Sequence, residues 1–432
     1  MEVNKAMLEL RRNGGGPVHI NLITTYSRDF SVKELPHVKV MRRFQAWDEL
    51  PVLLEGRIGI YVGSHTHFSE KQNRAIDRFC ATYDAVVICD HTSGYYGKYK
   101  LLPTLVQLQS DITSPFPPLD LMVHIGEISA ASFNDTIPAK EVWRVSEDGE
   151  LRDPFKKLTT VFQMSEEMFF LHYGKDGCNR HVLIDECREL FGEIYEQIPE
   201  LPFCNIWTAM QLSSRLPKGA LFHMGVSNTR RCWNMFQLPE SVESACNVGC
   251  CGIDGCVSTL VGASLVNPDR LCYVVVGDLT FFYDLNSLGN HHIGTNLRVM
   301  LVNNGRGTEF RLGIHHCNVF GDDADKYMAA AGHFGNKSPL LVKHYAEDLG
   351  FHYLSATTKE EFMTALSNFT NPQLSDHSMI LEVFTDSKDE SEALYLMSHI
   401  QSDAKGMVRS KLKDAVRNVA GEKGINAIKK IL

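Results

Sequence analysis

Two short apolar segments, each followed at once by polar residues, place the strongest constraint on the fold of this chain. Residues 271–276 read LCYVVV, and residues 299–302 read VMLV. Continuous apolar runs of this kind are typical of parallel strands that helices cover on both faces. We therefore predict a buried strand, a connecting helix and a second buried parallel strand in this part of the chain.

The polar residues that follow the two strands can form a metal site. Asp278 comes soon after the first strand, and Asn304 soon after the second. The carboxyl ends of parallel strands lie at one edge of a sheet, so these side chains can converge. Both offer the oxygen ligands that Mg²⁺ prefers, and the backbone carbonyl of Arg306 could add a third. The amides of Leu279 and Thr280 open the helix, where N–H groups and the helix dipole favour a diphosphate.

This segment resembles the thiamine diphosphate (ThDP) signature, in which Gly-Asp-Gly precedes an Asn-Asn pair. Gly277 and Asp278 match it, whereas Leu279 replaces the second glycine. The GDL form, followed by YDLNSL, is similar to one branch of the ThDP superfamily. That branch is the menaquinone-pathway synthase of 2-succinyl-5-enolpyruvyl-6-hydroxy-3-cyclohexene-1-carboxylate (SEPHCHC). An aspartate that caps a helix and an asparagine pair in a turn are the alternative interpretation.

The resemblance implies an α/β fold with two doubly wound, mainly parallel-sheet domains. One is a Rossmann-like middle domain, and the other binds the ThDP diphosphate and Mg²⁺. Residues 247–259 (NVGCCGIDGCVST) are similar to the turn of the family that contacts the cofactor's aminopyrimidine. By that match the carbonyl of Gly252 faces the pyrimidine, and Ile253 holds ThDP in its bent form. The alternative for Ile253 is a core residue in the first turn of a helix.

A third segment, residues 225–231 (GVSNTRR), is similar to the part of these synthases that lines the cofactor and substrate pocket. The match carries over Ser227 and Arg231 as pocket residues. A guanidinium at this position could hold a substrate carboxylate through two parallel hydrogen bonds. A surface arginine in a loop is the alternative interpretation.

Three departures from the synthase pattern concern the substrate. Val248 stands where the synthases have an arginine, and Glu309 replaces the apolar residue before the pocket residue Phe310. The Lys-Arg pair expected in the middle domain is absent around residues 130–133 (AASF). The loss of these cationic residues and the gain of the anionic Glu309 argue against the acceptor substrate that the synthases use. We therefore expect the cofactor chemistry to be shared and the substrate to differ.

The amino-terminal part resembles only the last strand of a pyrimidine-binding domain, in residues 14–22 (GGGPVHINL). The family's activating glutamate lies in the remainder of that domain, so no catalytic residue is assigned. Glu2, Glu9 and Asp29 are interpreted as surface carboxylates. We expect a separate subunit to supply the domain, or the sequence to be a truncated form. The resemblance also implies at least a homodimer, because protomers of this superfamily share ThDP.

Composition and charge agree with an ordinary multi-domain protein. The 432 residues are 44% hydrophobic, enough for two or three domains. The net charge of −9 gives no reason to expect nucleic acid as a partner. The sequence contains no apolar run long enough to span a membrane and no secretory leader, so we expect a cytoplasmic protein.

The middle of the chain reads as alternating strands and helices. We predict strands at 58–63, 85–90 and 121–125, with a helix at 70–82 after the first. Helical stretches are expected at 159–172 and 180–198. The predicted domains are residues 1–33 (remnant strand and linker), 34–190 (middle domain), 191–403 (ThDP diphosphate and Mg²⁺ domain) and 404–432 (basic helical tail).

The resulting hypothesis is a ThDP- and Mg²⁺-dependent carboligase that decarboxylates a 2-oxo acid and joins the remainder to an acceptor. It would act only together with a pyrimidine-binding domain. A simple 2-oxo acid decarboxylase remains one alternative, since it would use the same motifs. A non-catalytic ThDP-binding subunit is the other. His315 or His316 could act as an acid or base, because both closely follow the Asn-Asn loop.

Overall fold

Two parallel β-sheets with connecting helices make up the structure, a computed structural model. It describes residues 2–23, 26, 28, 29, 31, 33, 34, 40–53, 55–112, 116–127, 137–249, 252–313, 315–326 and 338–402. The basic tail predicted at 404–432 and residues 130–133 lie outside the described residues. No helix in the described ranges is both long and apolar enough to cross a membrane.

The first sheet is formed by the amino-terminal half of the chain. Its strands are β1 (Arg42–Gln45), β2 (Ile58–Val62), β3 (Val86–Ile88), β4 (Lys100–Leu101), β5 (Leu119–Ile125), β6 (Ala139–Ser146) and β7 (Leu158–Gln163). Their order in the sheet is β1-β7-β6-β5-β2-β3-β4, and the pairs between described strands are parallel. The helices of this half are α1 (Glu2–Glu9), α2 (Glu70–Tyr83), α3 (Thr104–Leu108), α4 (Glu166–Tyr173) and α5 (Val182–Glu196).

Local sequence signals explain where these elements begin. All five residues of β2 (IGIYV) are buried, as expected of a strand covered on both faces. Helix α2 begins with a capping box: the Ser69 hydroxyl accepts from the Gln72 amide at 3.3 Å, and the Gln72 side chain accepts from the Ser69 amide at 2.9 Å. These reciprocal bonds satisfy two amides that a helix start would otherwise leave unpaired.

The second sheet follows in the carboxyl-terminal half. Its strands are β8 (Leu221–Met224), β9 (Glu243–Cys246), β10 (Cys272–Gly277), β11 (Leu297–Asn303), β12 (His352–Ala356) and β13 (Met379–Phe384). They lie in the order β12-β13-β11-β10-β8-β9, and the described pairs are again parallel. The helices are α6 (Asn205–Leu212), α7 (Asn228–Trp233), α8 (Cys256–Val266), α9 (Asp278–Asp284), α10 (Leu341–Asp348), α11 (Lys359–Phe369) and α12 (Ser387–Ser398). Short 3₁₀ helices include Leu285–Gly289, Thr308–Arg311 and His316–Lys326.

The burial of strand β10 explains why its sequence is apolar throughout. Tyr273 and Val275 belong to a large hydrophobic core that continues into the first sheet. Cys272, Val274 and Val276 belong to a second core on the opposite face. Because successive side chains of a strand point to opposite faces, both faces of β10 are buried. The predicted α/β fold with two parallel-sheet domains is confirmed.

A buried polar contact joins the two sheets. Asp90, which follows β3, forms an ion pair with Arg230 of α7, with 3.3 Å between Arg230 Nη1 and Asp90 Oδ2. The next residue, His91, donates its backbone N–H to Asn234 Oδ1 at 2.9 Å, and its ring contacts the Phe236 carbonyl at 2.8 Å. Burial lowers the pKa of His91 to about 4, with smaller effects from its neighbours, so the ring is neutral and Nε2–H donates. These contacts fix α7, and the loop before it, relative to the first sheet.

One local prediction is wrong, and another is not tested. Residues 14–22, interpreted as a remnant strand, pair with neither described sheet, and Leu22 is largely exposed; because a strand needs a hydrogen-bonded neighbour and the expected neighbours belong to the pyrimidine-binding domain, this interpretation stays a prediction. Residues 159–172 were predicted as helix, yet β7 (Leu158–Gln163) occupies the first part and only α4 is helical. The β-branched residues of LTTVF favour the strand. The predicted domain boundaries remain a prediction.

The amino-terminal carboxylates differ from one another. Glu9 is not a simple surface carboxylate: it forms ion pairs with Arg43 at 2.7 Å and with Arg12 at 3.1 Å. Since the Arg43 side chain is buried, this contact helps to hold α1 against β1. Asp29 is exposed, as predicted, and the side chain of Glu2 lies outside the described residues.

Candidate functional site

The residues predicted to bind cofactor, metal or substrate all follow the carboxyl ends of four neighbouring strands of the second sheet. After β8 the chain first goes to β9 on one side and then returns to β10 on the other. In open α/β sheets the crevice at such a reversal is where ligands bind. The residues concerned are Ser227 and Arg231 after β8, Gly252 and Ile253 after β9, Gly277, Asp278, Leu279 and Thr280 at the end of β10, and Asn304, Arg306, Glu309 and Phe310 after β11.

Asp278 joins the ends of β10 and β11. Its side chain is 2% exposed. One carboxylate oxygen, Oδ1, accepts from the Leu279 amide at 2.8 Å, and Oδ2 accepts from the Gly305 amide at 2.6 Å. The second bond crosses from one strand end to the next, so the two segments of the predicted motif lie in contact. The Leu279 amide, predicted to face a diphosphate, already has the Asp278 carboxylate as an acceptor.

The turn after β11 carries the other two predicted metal ligands. Gly305 has φ +83, a left-handed conformation that glycine adopts without strain. Asn304 Oδ1 accepts from the Arg306 amide at 3.4 Å. The carbonyl of Arg306 accepts from the Thr308 amide at 2.8 Å, and a carbonyl oxygen has a second lone pair that could bind a cation. The turn therefore carries two oxygens next in the chain to Gly305, whose amide contacts Asp278.

The residues present fit a magnesium diphosphate. One carboxylate, one amide oxygen and one carbonyl are hard ligands, and phosphate and water oxygens usually complete such a shell. There is also room at the strand end, because no described atom other than those of Gly277 and its chain neighbours lies within 4 Å of the point where a Cβ on Gly277 would be. Among the described residues there is no cluster of three or more His, Cys, Asp or Glu side chains that could hold a metal.

The turn that contains Gly252 and Ile253 is fixed from both sides. Ile253 is half-buried and precedes α8, so it does not lie in the first turn of a helix. Asn247, at the start of the turn, donates its side-chain N–H to Thr259 Oγ1 at 3.2 Å. The Asn247 side chain also forms a hydrogen bond with the His223 side chain. This bond raises the pKa of His223, but burial has the larger effect and lowers that pKa to about 4, so the ring is neutral. The turn is thus tied to β8 and to α8.

Asp284 is a functional residue to which the sequence reasoning gave no role. Its Oδ2 accepts from both the amide and the hydroxyl of Ser258, at 2.7 and 3.1 Å. Ser258 is the third residue of α8, so Asp284 caps that helix from α9. The cap connects the turn that carries Ile253 to the helix that begins at Asp278. Its place in the YDLNSL sequence was the signal that could have identified it.

A second overlooked residue, Glu382, lies in the buried strand β13. Its carboxylate accepts from Asn303 Nδ2 at 2.7 Å and from the Tyr353 hydroxyl at 2.8 Å. Burial raises the pKa of Glu382; the two hydrogen bonds oppose this, and the charge of Asp278 adds to it. By holding Asn303, Glu382 orients the turn that carries Asn304. An acidic residue within the apolar run MILEVF was the available signal.

The segment after β8 adopts an unusual backbone conformation. Ser227 has φ +60 and ψ −120, which a non-glycine residue rarely adopts. Just before it, a Cβ on Gly225 would lie 3.2 Å from the Val275 carbonyl oxygen, so this position packs closely against β10. The Ser227 side chain is exposed and does not cap α7. Strain of this kind is common at ligand sites.

Arg231 and Glu309 form a direct ion pair. Arg231 Nη2 donates to Glu309 Oε1 at 2.6 Å, and Nη1 donates to Glu309 Oε2 at 3.0 Å. Each side chain is 23% exposed. Burial disfavours the charged guanidinium, but the hydrogen bonds and charge of Glu309 outweigh it and raise the pKa of Arg231. Arg231 is therefore not a loose surface residue, and its carboxylate-binding groups are engaged by Glu309.

The neighbouring aromatic contact involves Phe310. Its ring meets the His315 ring edge to face, with 5.1 Å between centroids and 88° between planes. His315 Nδ1 accepts from the Cys317 amide at 3.1 Å. The contact places His315 near the predicted pocket. The side chain of His316 lies outside the described residues.

A buried glutamate stands behind the pocket. Glu390 is 1% exposed, and its Oε1 accepts from the Asn205 amide at 2.9 Å and the Thr385 hydroxyl at 3.0 Å. It also bonds the side chain of Asn228, whose Oδ1 accepts from Arg231 at 3.4 Å. Burial raises the pKa of Glu390 to about 7, although these hydrogen bonds oppose the shift. No sequence signal pointed to this residue.

Glu390 predicts a specific pH dependence of stability. Its pKa is about 7 in the folded protein against an ordinary value of 4.5, so the folded state binds the proton more tightly. Stability should therefore fall as pH rises through this window, by about 3 kcal/mol in total from this group. We expect Glu390→Gln to remove that decline in urea unfolding between pH 5 and pH 8. Glu392→Gln, at an exposed position of the same helix, should keep the wild-type profile; parallel profiles for wild type and Glu390→Gln would contradict the assignment.

Comparison with known proteins adds a family relationship to this geometry. No family model matches the chain. It is 28% identical over 420 residues to a 2-succinyl-5-enolpyruvyl-6-hydroxy-3-cyclohexene-1-carboxylate synthase of Bacteroides thetaiotaomicron, which covers 91% of this chain and 72% of that protein. The synthase of the same name from Phocaeicola vulgatus is 28% identical over 426 residues, covering 91% and 71%.

A shorter match is closer in sequence. The synthase of the same name from Christiangramia forsetii is 33% identical over 199 residues, which is 46% of this chain and 33% of that protein. The long matches cover both described sheets, because 91% of the chain is aligned. The chain is therefore a relative of the SEPHCHC synthases over most of its length.

Proposed function

We propose that this chain is the middle and cofactor-binding part of a ThDP- and Mg²⁺-dependent carboligase that decarboxylates a 2-oxo acid. The observation that carries the proposal is the 2.6 Å hydrogen bond between the Asp278 carboxylate and the Gly305 amide. It brings the two halves of the predicted metal motif into contact at the ends of β10 and β11, next to the reversal between β8 and β10. The relationship to proteins named SEPHCHC synthase supports the same assignment. On this proposal the enzyme acts in menaquinone-type quinone biosynthesis, or it catalyses a similar carboligation.

The chain's own residues would hold the cofactor in the following way. Asp278, Asn304 and the carbonyl of Arg306 would bind Mg²⁺, and Thr280 near the start of α9 would lie beside the diphosphate. When bound, ThDP supplies the carbon nucleophile and the electron sink that decarboxylation of a 2-oxo acid requires. Because two amides already orient the Asp278 carboxylate, metal binding needs little rearrangement there.

Other residues would position the organic part of the cofactor. Ile253 would support its bent form, and the Gly252 carbonyl would accept from the aminopyrimidine. Asp284 and Asn247 keep this turn in place through their bonds to α8. Ser227 would line the pocket on the opposite side, at the reversal between β8 and β10. Positioning of this kind lowers a barrier by orientation alone.

We also propose that a pyrimidine-binding domain completes the site, either on another chain or on a part of the protein outside this sequence. That domain would bring the glutamate carboxyl group that donates a proton to the aminopyrimidine ring. ThDP would then lie between two polypeptide segments, which fits at least a dimer. The resulting enzyme would take a small 2-oxo acid as donor.

The test is a titration of the native protein, purified with any companion that stays bound. We expect ThDP to bind in isothermal titration calorimetry when Mg²⁺ is present and not when EDTA replaces it. We also expect CO₂ release from 2-oxo acids only from preparations that contain the pyrimidine-binding domain. Absence of ThDP binding at saturating Mg²⁺ in such a preparation would refute the proposal.

A simple 2-oxo acid decarboxylase is the second candidate. Two features favour it: the resemblance to the synthases places Val248 at a position where they have an arginine, and Glu309 engages the guanidinium of Arg231. As a result of both features, fewer cationic side chains are available to bind the carboxylates of an acceptor substrate. Product analysis with and without an added acceptor separates the two, because only a carboligase forms a new carbon–carbon bond.

A further inference from the structure

The Arg231–Glu309 pair has the geometry in which an arginine binds a substrate carboxylate. Both terminal nitrogens of Arg231 donate to the two oxygens of Glu309, at 2.6 and 3.0 Å. Two parallel N–H···O bonds of this kind are the strongest and most specific contact between a guanidinium and a carboxylate. The same Nη1 also lies 3.4 Å from Asn228 Oδ1. The guanidinium N–H groups of Arg231 are therefore already hydrogen-bonded to side chains of the protein.

The Arg231–Glu309 pair joins two segments that lie on either side of the candidate metal site. Arg231 is in α7, after β8, and Glu309 is in the 3₁₀ helix Thr308–Arg311, after β11. Strands β8 and β11 lie on the two sides of β10, which ends at Gly277 and leads into Asp278. The ion pair thus connects the segments that flank the candidate metal site.

The charges around the pair disfavour another carboxylate. Glu309 neutralises Arg231, so the guanidinium offers no unbalanced positive charge to a further carboxylate. A side-chain carboxylate of a substrate could use Arg231 only by displacing Glu309. The displaced Glu309 would then lose its charged partner in a site that is only 23% exposed. Leaving a partly buried charge unpaired carries a large penalty.

We propose that Glu309 is a specificity determinant that occupies Arg231 in place of a substrate carboxylate, so that the donor is a 2-oxo acid with an uncharged side chain. This rests on the proposed function. It names the substrate class of that site: the 2-oxo carboxylate common to all donors is accepted, and a second, distal carboxylate is rejected.

The experiment compares two donors that differ only at the distal end. 2-Oxopentanoate and 2-oxoglutarate have the same five-carbon chain, and only the second carries a distal carboxylate. In the complete assembly we expect wild type to prefer 2-oxopentanoate in kcat/KM. Glu309→Leu frees Arg231 and should shift the ratio toward 2-oxoglutarate by at least about tenfold. Glu309→Gln, which keeps the shape and loses the charge, should shift it in the same direction by less.

Two further measurements keep the outcomes distinct. Calorimetry of 2-oxoglutarate with the Mg²⁺- and ThDP-loaded protein should show tighter binding to Glu309→Leu than to wild type. Glu186→Leu, which removes an exposed partner of Arg57 in the first half of the chain, should leave the donor ratio unchanged. If neither wild type nor the variants bind ThDP, the proposed function fails. If ThDP binds and the donor ratio and 2-oxoglutarate affinity of both Glu309 variants equal those of wild type, the role of Glu309 is refuted.

Discussion

Asp278→Asn is expected to weaken Mg²⁺-dependent ThDP binding by at least about a hundredfold, a loss near 3 kcal/mol. The asparagine removes the negative charge that would bind the cation. It also replaces one acceptor oxygen by an NH₂ group that faces the amide of Leu279 or Gly305. Two donors then oppose each other in a buried site, which costs about 1–3 kcal/mol by itself.

The measurement for Asp278→Asn is a ThDP titration by calorimetry at several Mg²⁺ concentrations. Circular dichroism and thermal unfolding establish that the variant is folded. Asp176→Asn, at an aspartate whose side chain is 88% exposed and far from the second sheet's edge, should bind ThDP like wild type. Equal ThDP affinity in Asp278→Asn and wild type would show that the metal assignment is wrong.

Arg230→Met is expected to cost about 3–5 kcal/mol of stability, because it takes the cationic partner from a buried carboxylate. Asp90 and Arg230 are 3% and 7% exposed, and their ion pair joins the first sheet to α7. The Asp90 carboxylate would keep its hydrogen bonds from Thr92 and Ser93, which do not compensate its charge. The loss should appear as a lower urea midpoint.

A double variant and a surface variant test the cause of that loss. Arg230→Met combined with Asp90→Asn should recover part of the stability, since no buried charge is then left. Arg74→Met removes an exposed pair with Glu70 and should cost no more than about 0.5 kcal/mol. If Arg230→Met costs no more than Arg74→Met, the buried pair does not hold the two sheets together.

The metal motif shows how far local sequence can lead. Apolar runs predicted β10 and β11, and the rule that parallel strands end at one edge predicted that Asp278 and Asn304 would come together. The hydrogen bond from Gly305 to Asp278 brings those two segments into contact. The meeting of the two segments could be predicted because strand direction alone decides where the polar residues lie; the binding of one ion by Asp278 and Asn304 stays a prediction.

The contacts among the pocket residues could not be predicted in the same way. Arg231 and Glu309 were both predicted to line the pocket, one as a cation for a substrate and the other as a departure from the family pattern. Their mutual ion pair was not predicted, because the two residues are 78 positions apart and lie after different strands. Glu390 and Glu382 were missed for the same reason: their partners Asn205 and Asn303 lie far away in the chain.

The sequence by itself determined the fold class, the two parallel sheets and the sheet edge at which the candidate site residues lie, because apolar periodicity and strand direction are local properties. It did not determine which polar groups satisfy one another, such as Asp284 with Ser258 or Glu309 with Arg231. Only the tertiary structure decided those pairs. The physical reason is that hydrogen bonds and ion pairs depend on distances of a few ångströms between strands, and these distances exist only after the sheet has formed.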